Sequence, residues 1–402
     1  MQTSSIHGQA IQAPSSWVFL LLATACGMIA ANIYYAQPLI GPIAVSLGLS
    51  VQFAGLVATV TQVGYGIGLL LIVPLGDLME NRRLVITTLG VATLALVATA
   101  SATHAFTFLA AGVLIGLGSV TVQLLVLYAV HLAPSALQGR VVGIVTGGLM
   151  LGIMFARPAA SLITGMGSWR TVFLGSAVAM AILAAVLRIA LPVRHPVQGL
   201  RYGSLLASMG PLIWHTPVLR RRAFYQSCLF GAFSLFWTTV PLLLADNFQF
   251  SQTDIALFAL TGIASALAAP LAGHAADRGW DKSATCIAML AVAACFVFGR
   301  LGSSASVIGL IGLALGAIFL GFGVSVHAVL GQRSIFSLDP ESRGRLNGLF
   351  MATYFTAGAL GSILGTWAYT NGGWTLINWI GFGLSVLALI SLCTERNHST
   401  PR

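Results

Sequence analysis

The stretch Pro74-Leu75-Gly76-Asp77-Leu78-Met79-Glu80-Asn81-Arg82-Arg83 carries the first formal charges in the chain. The next charge after it is Arg140, and a third charge-free stretch runs from Arg345 to Glu395. A membrane-spanning helix needs about 20 apolar residues. Each gap is therefore too long for one span and long enough for two with a turn. Turn-forming clusters at Pro38 to Ser50, Ser101 to His104 and Thr370-Asn371-Gly372-Gly373 divide the three gaps. The same reading outward along the chain predicts twelve spans, at 17–38, 53–75, 84–102, 106–130, 141–165, 170–191, 223–245, 254–275, 283–301, 306–330, 346–369 and 374–394. The fold class expected is an all-α membrane protein.

Composition agrees. Of 402 residues, 57% are hydrophobic and only 7% are charged, where a soluble domain carries about 25% charge. The net charge of +10 would suit nucleic acid, but the positions of the basic residues say otherwise. Fifteen Lys/Arg fall in one alternating set of loops and tails, against Arg170 and Arg300 in the other. That asymmetry is the positive-inside rule. It places both termini in the cytoplasm, across a cell inner membrane, and leaves no nucleic-acid role. The polar first sixteen residues lack a basic n-region, so Trp17 onward reads as a retained span rather than a cleaved leader. Five cysteines, Cys26, Cys228, Cys286, Cys295 and Cys393, lack metal spacing and read as buried free thiols. No metal or cofactor is expected.

The chain also repeats. Gly139-Arg140-Val141-Val142-Gly143 opens span five, and Gly344-Arg345-Leu346-Asn347-Gly348 opens span eleven, 205 positions later. Trp169 and Trp374 share that offset. The Gly76-to-Glu80 loop has a counterpart in Gly273-to-Asp277, with Arg82, Arg83 and Arg278 following the two acids. Residues 192–222, with four prolines and Arg220-Arg221-Arg222, separate the halves. The expected organisation is a tail at 1–16, a six-helix half at 17–191, a cytoplasmic linker at 192–222, a second half at 223–394 and a tail at 395–402. Parallel repeats of this kind mark transporters, with the solute site between the halves near the midplane.

On these features the chain resembles the major facilitator superfamily over almost its whole length. Gly76-x-x-x-Glu80-x-Arg82-Arg83 is similar to that family's loop motif after span two, with Glu80 in place of the usual Asp; Gly279 in the second copy is out of register. Gly143, Gly147, Gly152 and Pro158 resemble the fifth helix of its proton-coupled antiporters, although Arg157 stands where a Gly commonly precedes the proline. Ala31-Asn32-Ile33-Tyr34-Tyr35-Ala36-Gln37-Pro38-Leu39 looks like the first span of a bacterial efflux-permease branch. The antiporter pattern's fourth-span Arg, due near Ala111 or Gly112, is missing. The resemblance implies transport by alternating access, with spans one, four, seven and ten lining a central cavity.

Two groups of candidate residues follow. At the cytoplasmic ends, Gly76, Asp77, Glu80, Arg82, Arg83, Arg140, Asp277, Arg278 and Arg345 form a gating set. Its carboxylates can pair with Arg140 or Arg345, or with a neighbouring helix N-terminus, and release as the halves rock; ordinary solvated loop charge is the plainer reading. Within the spans, Arg157 is the one charge well inside a helix. It lies sixteen positions from Val141, about 24 Å along at 1.5 Å per residue, in the outer half. An intramembrane Arg is by default a functional residue; snorkelling to the outer face is its rival. Asn32, Tyr34, Tyr35 and Gln37 in span one and Phe236, Trp237, Thr238 and Thr239 in span seven share its depth and suit either a solute cavity or an aromatic belt, with Asn32 and Gln37 favoured over the tyrosines. Gln123 in span four and His327 in span ten complete the substrate-binding set. His327 could carry a proton or simply pack. The glycine patterns Gly64-x-Gly66-x-Gly68, Gly143-x-x-x-Gly147 and Gly361-x-x-x-Gly365 read as close-packing faces.

No P-loop and no soluble segment long enough for an ATPase is present, so transport is expected to be ion-coupled or facilitated. The resemblance favours proton-coupled efflux of a drug-like or metabolic compound by a monomer. Uptake or exchange of a small organic anion is the alternative, on the strength of Arg157. A membrane enzyme would need a convergent catalytic set, which the sequence lacks, and the duplicated loops imply a moving gate rather than a channel.

Overall fold

The computed structural model describes residues 16–134, 137–193, 201–339 and 342–395, and these are helices and turns with no strand among them. Helical segments occupy all twelve predicted intervals. Among the described residues, nine helices are apolar and long enough to cross a membrane. One of these, α15 (Arg343–Cys393), holds spans eleven and twelve, which turn at Gly373 with φ 60°. That conformation is open to glycine, and it lies in the predicted Thr370–Gly373 turn.

In the first half the spans are α1 (Ser16–Ala31) with α2 (Ile40–Leu47), α3 (Leu56–Leu71), α4 (Asn81–Ala100), α5 (Ala105–Ser119) with α6 (Thr121–Leu132), α7 (Gln138–Met166) and α8 (Trp169–Ala190). Span one is broken in the middle. Pro38 has no N–H, and its ring would clash with the carbonyl four residues back, so the chain tightens before it. Tyr34 N donates to Ala31 O at 2.9 Å and Gln37 N to Tyr34 O at 3.2 Å. The helix then resumes and ends at Gly48 (φ 66°), which corrects the turn expected from Pro38 onward. Proline is tolerated at a helix start, and the turn falls instead at Gly48.

The linker also differs from expectation. Tyr202–His215 forms a helix, α9, that buries Leu205 and Met209 against the bundle. The seventh span, α10 (Pro217–Asp246), starts earlier than predicted because Pro217 sits in its first turn, where a missing N–H costs nothing. Span eight is α11 (Gln252–Ala259), a tighter turn at Leu260–Leu267 and α12 (Ala268–Asp277); α13 (Asp281–Gly299) and α14 (Val307–Phe336) follow.

Lipid tails are as apolar as leucine, so helices in a membrane associate by close packing of small residues. Gly152 of α7 lies on Gly27 of α1, and Gly361 of α15 lies on Gly231 of α10. In each pair a Cβ would meet the partner's backbone. Span five therefore grips span one as span eleven grips span seven, with Gly361 four residues, about one helical turn, beyond the repeat equivalent of Gly152. Gly148 belongs to the first contact, whereas Gly143 and Gly147 face open space. The predicted Gly143/Gly147 packing face is thus one residue out of phase with the observed one, Gly148 and Gly152.

One buried apolar core lies within residues 18–191. A small one lies within 268–330, and a third lies mostly within 219–392 but includes Ile33, Tyr34, Tyr65, Leu69 and Ala156 from the first half. That shared part is where the halves meet. Large side chains such as Leu94, Ile182 and Val307 point outward from the bundle, as expected of a surface covered by lipid. Cys26, Cys228 and Cys295 are buried free thiols as predicted; Cys286 is half-buried and Cys393, on the last turn, is exposed.

Candidate functional site

The broken part of span one delivers Tyr34 and Gln37 to the junction between the halves. From span five, Arg157 reaches the same point, held in register by the glycine contact with α1. Arg157 is 4% exposed, so it neither snorkels nor meets solvent. Its Nε donates to Gln37 Oε1 at 2.8 Å. The guanidinium carbon lies 4.6 Å from the Trp237 ring centroid, 4.9 Å from Tyr34 and 5.1 Å from Phe233. Aromatic faces attract a cation by about 0.5–2 kcal/mol each when desolvated, which offsets part of the cost of burying the charge. Among the described residues no carboxylate pairs with it. Arg157 Nη2, Gln37 Nε2 and Trp237 Nε1 are all buried with no hydrogen-bond partner. A cavity of about 10 Å³ adjoins them, lined by Pro38, Arg157, Trp237, Pro241, Ile255 and Phe258 among others. The site is thus formed by spans one, five, seven and eight.

Of the predicted substrate-binding residues, Gln37, Arg157 and Trp237 come together. The others lie elsewhere. Asn32 Oδ1 accepts from Ser176 Oγ of α8 at 2.5 Å, away from the junction. Tyr35 faces a separate cleft of about 160 Å³ with Met28, Thr171 and Ser176. Thr238 pairs with Ser362 at 2.9 Å and so ties span seven to span eleven. Gln123 donates to Tyr65 Oη at 3.2 Å, and Tyr65 packs on Phe355 with centroids 4.6 Å apart. His327 Nδ1 lies 2.7 Å from Gln226 Oε1, with Tyr225 edge-on at 5.9 Å. Tyr34, weighed with them as a cavity residue, joins the cluster, and Phe233 is the member that the sequence reading passed over. Phe233 is four residues before Trp237, and positions four apart on a helix share a face, so that signal was present. Gln62 is a further buried amide, accepting from Ser234 across the halves at 3.4 Å.

The gating set is wired differently from the expected pairs with Arg140 or Arg345. Glu80 pairs with Arg82 at 3.7 Å, two residues away. Arg82 Nη1 also reaches the carbonyls of Arg188 and Leu191 at 3.4 and 3.5 Å, capping the C-terminal end of α8. Asp277 pairs with Arg333 of α14 at 2.7 Å. Arg345 donates to Ser208 of the linker helix at 2.6 Å and to Ser342 at 2.9 Å. Arg83 and Arg140 are exposed, Arg278 lies over Trp280 at 5.6 Å, and Gly76 packs on Leu124. The Asp77 side chain lies outside the described residues. The physical reason for the rewiring is proximity. Glu80 and Asp277 each find a guanidinium within their own half, and both halves are tied to α9, where Tyr202 Oη also donates to Leu71 O at 2.8 Å. On the opposite face the halves touch directly. Thr366 Oγ1 donates to Gln52 O at 3.3 Å, and a Cβ on Gly165 would lie 3.1 Å from Thr253 Oγ1.

Comparison with known proteins gives a consistent picture. The family model for the Major Facilitator Superfamily matches residues 20–232 and again 222–402. The uncharacterized transporter YgaY of Escherichia coli O157:H7 is 36% identical over 376 residues, covering 93% of this chain and 94% of that one. The probable transporter SCO4007 of Streptomyces coelicolor is 34% identical over 366 residues, covering 88% and 82%. Among solved structures, the nucleoside transporter NupG superposes with a TM-score of 0.74 at 15% identity, covering 93% of this chain and 99% of that one. The D-xylose-proton symporter gives 0.71 at 14% identity, covering 92% and 96%.

Proposed function

Because the chain belongs to the major facilitator superfamily, we propose that it is a secondary transporter whose solute site is the Gln37–Arg157–Trp237 cluster. A small molecule enters from one side, the halves rock about the cluster, and it leaves from the other. The observation that supports this reading is the cluster itself: a buried guanidinium between the halves, with unsatisfied donors around it. Buried polar groups in folded proteins are nearly always paired, and an exception at the junction between two moving bodies suits a site completed by solute.

The gating role is assigned to the linker face. Glu80–Arg82 and Asp277–Arg333 steady the ends of their own halves, while Arg345–Ser208 and Tyr202–Leu71 strap both halves to α9. Asp77, Arg83, Arg140 and Arg278 lie on the same face and belong to the same proposal. Proton-coupled efflux is the direction and coupling proposed, on the resemblance of span one and span five to efflux permeases. Residence in the inner membrane with both termini cytoplasmic is proposed on the bias of the basic loops, and a monomeric state belongs to the same proposal. Uptake or exchange of an organic anion is the second reading, favoured by Arg157 having no counter-charge.

The test is transport by cells overproducing the chain, loaded with a panel of dyes and labelled metabolites, with and without a proton gradient. Gradient-dependent extrusion that is lost in Arg157→Gln supports proton-coupled efflux. Gradient-independent exchange supports the second reading, and no Arg157-dependent flux of any solute removes the site.

A further inference from the structure

The polar end of the cluster consists of donors. Arg157 Nη2, Gln37 Nε2 and Trp237 Nε1 are buried and lack acceptors, and the one acceptor of Gln37 that contacts Arg157 is already used by its Nε. Around them stand the faces of Tyr34, Phe233 and Trp237. A guanidinium forms two parallel hydrogen bonds to a carboxylate, and here Gln37 and Trp237 could add neutral donors beside it. A single cation sets the charge: a monoanion neutralises it, whereas a dianion would leave a surplus charge in a low-dielectric site. A cationic solute would meet Arg157 as a like charge, with no carboxylate in the cluster to receive it. The aromatic walls suit an apolar or aromatic body.

We propose that the solute of this site is a small organic monocarboxylate, its carboxylate on Arg157 with Gln37 and Trp237, and its apolar body against Tyr34 and Phe233. The proposal rests on the reading of this cluster as the transport site, and it narrows that reading to one chemical class.

Benzoate, benzamide and benzylamine share a ring and differ in charge. The test measures the melting temperature of the purified full chain in detergent, titrated with each. Benzoate should raise it saturably, with a half-saturating concentration at least tenfold below that of benzamide, and benzylamine should give no shift. Arg157→Gln should abolish the benzoate shift, and Arg157→Lys should keep a weakened one, since an ammonium lacks the two-pronged geometry. Gln37→Leu, which keeps the charge, should raise the half-saturating concentration several-fold and serves if the Arg157 variants fail to fold. The proposal is overturned if benzoate gives no shift, if benzamide or benzylamine matches it, or if its shift survives Arg157→Gln. Arg157-dependent extrusion of a neutral or cationic dye would overturn the carboxylate class while leaving the carrier reading standing.

Discussion

Arg157 concentrates the tension between stability and function in a single side chain. Three aromatic faces and one amide hold it, yet no carboxylate among the described residues repays its desolvation. Burying a charge without a paired counter-charge is costly, and an apolar group of similar size removes that cost. Arg157→Met should therefore melt at or above the wild-type temperature in the absence of solute while losing solute-dependent flux; a destabilised but active variant would contradict this. The importance of Arg157 was legible in the sequence because charge is so scarce there. Its neighbours were only half legible. Gln37 and Trp237 share its depth, but Asn32, Tyr35 and Thr238 do so as well, and these face α8, a separate cleft and span eleven. Depth can be counted along a helix, whereas azimuth depends on how the break before Pro38 rotates the chain. That rotation places Tyr34, not Tyr35, over the guanidinium.

At the scale of elements, close glycine contacts hold the bundle, among them Gly27 with Gly152 and Gly231 with Gly361. Overpacking a tight contact costs about 1–3 kcal/mol or more, and here the obstructing atoms are backbone. Gly152→Val and Gly361→Val should each lower the melting temperature sharply or abolish folded yield, as read by fluorescence-detected size exclusion. Gly147→Ala should be neutral or stabilising, because its Cβ meets open space and alanine favours a helix by about 1 kcal/mol over glycine. Equal effects at Gly147 and Gly152 would refute the packing phase. The glycine spacing announced close packing but left open which glycines face the partner. The linker helix was less legible still, since its prolines and its short apolar face (Leu205, Met209) read as loop until a bundle surface is present to bury them.

At the scale of the molecule, the sequence repeat foreshadowed two halves with related contacts, and the structure adds how they are joined. On the linker face the ties pass through α9, so Arg345→Ala should release the strap to Ser208 and alter the rate of flux more than the affinity for solute; an unchanged rate would make that contact merely structural. On the opposite face spans five and eight touch at Gly165 and Thr253. A Gly165→Cys/Thr253→Cys pair should oxidise to a disulfide that blocks transport, with activity restored by reductant. Free transport with the bond formed would show that these ends never separate. The most direct measurement is counterflow of labelled benzoate in proteoliposomes preloaded with unlabelled benzoate, comparing wild type with Arg157→Gln. The expected result is a transient overshoot of label in wild-type vesicles and none in the variant; simple equilibration, identical in both, would contradict a carrier built around Arg157.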